Sequence, residues 1–179
     1  MLFSNQNDQI PFGEWVYHTS GWNCYTPDYP QLNIWKTHFV FTYGSLMQGM
    51  ARGMDKIMST ATLIGKYRTK SPLYTMGYSV FGYPYVMGGE RNGDFIDGEI
   101  WEIPTGMMSD LDNIESNTQL YQRVPRLFIN REGVELPAWI YLGMRSAPAF
   151  SEKNTSNQFI ESLILPGSTA RVLRYQPFR

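Results

Sequence analysis

From residue 38 onward, short apolar runs alternate with turn formers along the chain. Residues 38–42 form an apolar run of the length of a buried strand. Residues 61–69 and 73–81 read as two further strands, and Tyr83-Pro84 and Gly88-Gly89 punctuate the connection that follows. In residues 95–103 the alternation puts Ile100 on one face and Trp101 and Ile103 on the other. Residues 126–129 and 136–142 flank Asn130-Arg131-Glu132-Gly133, a good hairpin turn, and Pro137 marks the second strand as starting at an edge or bulge.

Three segments carry a helical spacing. Met47, Met50, Met54 and Met58 recur at steps of three and four, which predicts one face of a helix interrupted by Gly49 and Gly53. Methionine fills irregular gaps, so the stripe reads as core and not as a cofactor box. Thr105 precedes a second helical stretch that runs through Glu115, and Phe159, Ile160, Leu163 and Ile164 predict a short docked helix. Strands outnumber helices, no period of 20–50 residues repeats, and the two kinds of element do not alternate as a doubly wound sheet requires. The class is therefore α+β, a small β-barrel or mixed sheet with helices beside it.

Residues 1–36 differ in kind. Turn formers (Pro11, Gly13, Gly21, Pro27, Pro30) separate aromatic anchors such as Trp15, Trp22 and Trp35, a pattern that packs by its rings without long regular structure. The chain divides into an aromatic-rich N-terminal extension (1–36), a main domain (37–145) and a C-terminal extension packed on or near it (146–179).

Composition narrows the function classes. Of 179 residues, 42% are hydrophobic and 17% charged, which is the balance of a folded globular chain. The net charge of −1 supplies no field to draw in nucleic acid or an anionic membrane. The aromatics are spread along the chain and make no local stacking platform. Arg171, Arg174 and Arg179 form the one local basic excess and read as a solvated or inter-subunit feature. Cys24 is alone, so neither an intrachain disulfide nor a Cys-rich metal site is expected. With no signal-peptide pattern and no run of about 18 apolar residues, the expectation is a soluble cytoplasmic protein.

Four groups of residues invite a chemical reading. Tyr43-Gly44-Ser45-Leu46 ends a strand, and Gly44 permits a tight turn whose backbone amides form an anion nest; an ordinary strand-to-helix turn explains the four residues as well. Glu115 lies three residues after Asp112, on one helix face. The pair fits a solvated helix end, or a base if Glu115 points into an apolar pocket walled by Leu111, Ile114 and Leu120, where desolvation raises its pKa. Tyr121 and Tyr141 stand at corresponding ends of two paired strands, where phenols can orient a substrate amine or carboxylate, although core packing is the commoner role of a tyrosine. Asp94, Asp97, Glu99 and Glu102 cluster around a turn and on alternating faces, as a solvated edge would have them. The glycines at 44–53 lack the Gly-Lys-Ser/Thr ending of a P-loop, His18 and His38 have no partner at metal spacing, and Ser45 lacks the Gly-x-Ser-x-Gly elbow of a nucleophile.

Together, residues 39–47, Tyr83-Pro84 through Gly88-Gly89, Asp97-Gly98-Glu99-Ile100-Trp101-Glu102-Ile103, Leu111-Asp112-Asn113-Ile114-Glu115-Ser116, Leu120-Tyr121-Gln122-Arg123 and Trp139-Ile140-Tyr141 resemble the γ-glutamylcyclotransferase-like family, and within it the γ-glutamylamine cyclotransferase branch. The resemblance covers roughly residues 38–145. It implies a small, mostly antiparallel β-barrel flanked by helices. It implies that Tyr43, Gly44, Ser45 and Leu46 bind a γ-glutamyl group through backbone amides, and that Glu115 is catalytic. The implied activity is release of 5-oxoproline and a free amine or amino acid by attack of the substrate's own α-amine, with no metal or organic cofactor. Residues 1–36 and the tail after about 146 have no counterpart in it. Two other readings remain open: a non-catalytic module on the same scaffold that binds a small ligand, or a protein partner through the N-terminal extension; and a lyase-like relative that applies the same proton transfer to another small molecule.

Overall fold

The structure, a computed structural model, describes residues 14–18, 21–25, 37–50, 52–79, 82–89, 93–117, 119–144, 158–166 and 169–177. In chain order the elements are β1 (Glu14–His18), β2 (Gly21–Tyr25), β3 (Thr37–Thr42), α1 (Met54–Ile57), β4 (Thr62–Thr69), β5 (Tyr74–Tyr78), β6 (Pro84–Gly88), β7 (Phe95–Pro104), α2 (Met108–Ile114), β8 (Tyr121–Ile129), β9 (Glu135–Gly143), β10 (Gln158–Ile164) and β11 (Arg171–Pro177). Within the N-terminal extension β1 and β2 pair as a hairpin; the ring packing expected there lies outside the described residues.

Five strands close on themselves in the order β7-β3-β9-β8-β4 and back to β7. Every seam is antiparallel except β3–β9, where Val40 pairs with Trp139 and Phe41 with Ile140 in parallel. Closure leaves no free edge in the barrel. A bulge between Leu63 and Gly65 bends β4 on its way from β7 to β8. The fold is thus the α+β barrel with few helices that the sequence predicts.

The period of two sorts the core. Sequence neighbours on three strands (Val40 and Phe41, Ile100 and Trp101, Trp139 and Ile140) join different hydrophobic clusters. One cluster contains Phe41 stacked on Phe128 with ring centres 4.1 Å apart. The other packs Val40, Trp101, Ile103 and Trp139 with Met108 and Leu111 of α2. Both faces are covered, which is why residues 138–142 are buried without interruption.

Several expectations need correction. The methionine segment is mostly turns, with a helix only at Met54–Ile57. All four methionines are buried, but Met47 and Met50 belong to one cluster and Met54 and Met58 to the other. Gly49, at φ +77°, turns the chain between neighbours that a helix would have kept on one face. Pro84–Gly88 is not a bare connection but a strand paired with β5, starting at its proline and burying Tyr85 and Val86. The segment with Phe159–Ile164 is a strand, β10, paired with β11. β11 lies parallel to β7 at Val172 and Leu173 and sends Leu173 and Tyr175 into the core, so a pairing partner outweighs the local helical spacing.

The acidic cluster is not a solvated edge, and the C-terminal arginines are not simply solvated. The Asp94 carboxylate, which is buried, accepts from the Arg171 backbone N–H, Nε and Nη2 at 3.0, 3.0 and 2.6 Å. Arg174 donates to Asp97. Glu99, also buried, accepts from the Gln48 N–H at 2.7 Å. Arg179 lies outside the described residues. Among the described residues no helix is long and apolar enough to cross a membrane, and no three His, Cys, Asp or Glu side chains converge as a metal site.

Candidate active site

β3 leads into the wall of a cavity of about 210 Å3. Beyond Thr42 the chain turns through Tyr43-Gly44-Ser45-Leu46, closed by the Met47 N–H donating to the Gly44 carbonyl at 3.0 Å. The Leu46 carbonyl accepts from the Met54 N–H at 2.8 Å, which fixes the loop to α1. Among the described residues the N–H groups of Gly44, Ser45 and Leu46 have no acceptor. Open amides on a loop that lines a cavity are what an anion or a developing oxyanion needs. Gly44 is required by close approach: a Cβ there would overlap Pro84 Cγ. Its φ is not in the left-handed region, so the tight turn does not itself demand glycine.

Glu115 reaches the same cavity from the C-terminal end of α2. Leu111, fully buried, and Met108 seat that helix against the barrel strands. The helix stops in a Schellman arrangement: Ser116 N–H donates to the Asn113 carbonyl at 3.2 Å and Asn117 N–H to the Asp112 carbonyl at 2.9 Å. Ser116 takes the left-handed conformation, φ 48°, where glycine is usual. Asn117 Oδ1 then accepts from the Arg123 N–H at 3.0 Å, so the turn bearing Glu115 is tied to the start of β8.

The two helix carboxylates are in different situations. Asp112 accepts from the Tyr141 hydroxyl at 2.6 Å and faces Arg123 at 3.4 Å, while that guanidinium lies over the Trp139 ring. It is a fixed structural acceptor, not part of a solvated pair. Glu115 accepts from no group among the described residues, and burial raises its pKa to about 7 against a smaller opposing pull from Arg52. Of the three apolar residues expected to wall it, Ile114 and Leu120 line the cavity, whereas Leu111 is core.

Tyr43, Tyr121 and Tyr141 are buried around this carboxylate and line the cavity. Tyr43 donates its hydroxyl proton to the Tyr141 carbonyl at 2.6 Å, Tyr121 to the Pro84 carbonyl at 3.1 Å, and Tyr141 to Asp112. Burial, first among the causes, raises all three pKa values, so the phenols stay protonated. Each proton being committed, the phenolic oxygens have only lone pairs to offer an incoming group. They suit an ammonium and not a carboxylate.

Sequence reasoning gave no site role to Arg52, Ser79, Tyr83 or Tyr85, all of which line the cavity. The Tyr85 hydroxyl bonds the Met144 carbonyl at 2.6 Å and its ring lies 5.3 Å from that of Tyr121. Tyr85 carried a signal in the Pro84–Gly88 run; Arg52, a lone cation in a turn, carried none.

The family model described as gamma-glutamyl cyclotransferase, AIG2-like, matches residues 40–161, a span that contains both the 43–46 loop and Glu115. The chain belongs to this family. The cyclotransferase family member is 30% identical over 103 residues to a candidate γ-glutamylcyclotransferase of Methanocaldococcus jannaschii, covering 58% of this chain and 82% of that protein. It is 32% identical over 111 residues to the γ-glutamylaminecyclotransferase of Bos taurus, covering 55% and 60%. Its fold is that of an AIG2-like protein from Mus musculus, with a TM-score of 0.55 at 22% identity over 65% of this chain and 87% of that one.

Proposed function

We propose that this family member converts a γ-glutamyl compound to 5-oxoproline and a free amine or amino acid. The observation that carries the reading is a desolvated carboxyl, Glu115, with a pKa near 7, sharing one cavity with a loop whose amides are open.

The substrate's α-ammonium is no nucleophile until it loses a proton. Beside its own α-carboxylate that ammonium is a weaker acid than a peptide N-terminus, whose pKa is about 8, so transfer to a carboxylate near 7 is uphill, but by far less than transfer to an ordinary glutamate. Phenolic lone pairs from Tyr43, Tyr121 and Tyr141 hold the ammonium beside Glu115. The freed amine attacks the γ-carbonyl carbon of its own molecule, a five-membered closure favoured by proximity. The carbonyl electrons move to oxygen, and amides of the 43–46 loop meet that charge. Collapse breaks the bond from the γ-carbon to the departing nitrogen, which takes the proton from Glu115. The second proton of the ring nitrogen follows the same route, and the product leaves as an ammonium ion. Atoms and charge balance without a metal or organic cofactor.

The test is 5-oxoproline release from γ-glutamyl-alanine, ε-(γ-glutamyl)-lysine and glutathione. Release from at least one is expected. No release from any would contradict the reading.

A further inference from the structure

Arg52 lies in the turn before α1, lines the cavity and sets its guanidinium over the Tyr83 ring, 5.7 Å from the ring centre. Tyr83 is 46% exposed and Arg52 half-buried, whereas Tyr43, Tyr121 and Tyr141 are buried. The Arg52–Tyr83 pair therefore forms the solvent-facing rim of the cavity. Among the described residues Arg52 makes no hydrogen bond and no ion pair; Glu115, in the same cavity, is too far away to form one. A guanidinium held over a ring by cation–π attraction uses no N–H donor in a hydrogen bond, and its donors form the fork that matches a carboxylate. Arg52 is thus a cation at the mouth of the cavity that acts on Glu115 from a distance and makes no direct ion pair among the described residues.

The partner of that cation follows from the cyclotransfer reading, on which the inference rests. The ammonium and γ-carbonyl of the substrate must sit beside Glu115, in the buried part of the cavity. The departing nitrogen has to leave through the opening, so the group it carries passes the rim. We propose that Arg52 is a specificity-determining residue that selects leaving groups bearing a carboxylate, so that γ-glutamyl amino acids are favoured over γ-glutamyl amines that carry no acid.

The experiment compares γ-glutamyl-alanine with γ-glutamyl-alanine amide, a neutral analogue of nearly the same shape, by kcat/KM for 5-oxoproline release. The wild-type protein is expected to prefer the acid by about tenfold, the effect of one charge-assisted hydrogen-bond pair. Arg52→Gln is expected to bring the ratio close to one, mainly by raising KM for the acid, and Arg52→Lys to retain part of the preference. Because the ratio is internal to each protein, a loss of folded material does not distort it. Equal use of the two substrates by the wild type would overturn the proposal. So would an Arg52→Gln variant that loses both substrates equally, since Arg52 would then serve the α-carboxylate common to both, or the structure. Release from neither of the two by a wild type that does release 5-oxoproline from ε-(γ-glutamyl)-lysine or glutathione would overturn the proposal alone, and release from none of the four would contradict the cyclotransfer reading itself.

Discussion

Burying the Glu115 carboxyl gives the protein a base near neutrality and costs it folding free energy. The folded-state pKa of about 7 lies above the group's ordinary value of 4.5. Below that lower value the group is protonated in both states. Between 4.5 and 7 the folded chain holds a proton that the unfolded chain has released, so stability falls as pH rises through this window and stays reduced above it. The cost is on the order of a few kcal/mol. Glu115→Gln removes it. The variant is expected to melt above the wild type at pH 8, with a gap that shrinks as pH approaches 4.5; calorimetry across that range checks this, and a gap independent of pH would count against a desolvated carboxyl. At this scale the sequence was partly legible. Ile114 and Leu120 could be foreseen as walls, since apolar residues flank the carboxylate. That Asp112 would be tied up by Tyr141 and Arg123, and that Arg52 would reach the cavity, depends on contacts between distant parts of the chain.

Elements place these side chains, and two of them do so through unusual backbone contacts. The 43–46 loop passes so close to Pro84 that a methyl group at Gly44 would collide with the proline ring. Gly44→Ala is expected to shift the loop, lose most 5-oxoproline release and destabilise the fold by about 1–3 kcal/mol. Parallel activity and thermal-shift measurements check both effects, and a fully active variant would show that the loop geometry is not needed. The turn after α2 was hidden because Ser116 occupies a left-handed position that a glycine would have announced. Strands with clean alternation, β7 above all, were legible from their own residues. The methionine segment was not: burial against two clusters reproduces the spacing of a helix without its geometry.

At the largest scale the described residues include a closed barrel with a C-terminal hairpin fastened to β7. The fastening joins Asp94 to Arg171 and Asp97 to Arg174, partners 77 residues apart, a separation at which spacing conveys nothing. The barrel was legible because each strand carries its own pattern; the hairpin was not, because its identity as strands comes from the partner it meets. Asp94→Ala would remove the acceptor of the Arg171 backbone N–H and guanidinium, at a cost of about 1–3 kcal/mol. Hydrogen exchange is expected to speed up in 158–177 while β8 and β9 keep their protection. Unchanged exchange in the hairpin would mean that Leu173 and Tyr175 hold it without the ion pair.

The central claim is that Glu115 is the proton shuttle. The most direct measurement is the pH dependence of kcat/KM for 5-oxoproline release by the wild-type protein and Glu115→Gln. The account predicts wild-type activity that rises with a limb near pH 7 and levels off above it. It predicts a variant slower by about 10²–10⁴-fold with that limb gone. A variant that retains wild-type activity, or a wild-type profile flat from pH 6 to about 8, would contradict it.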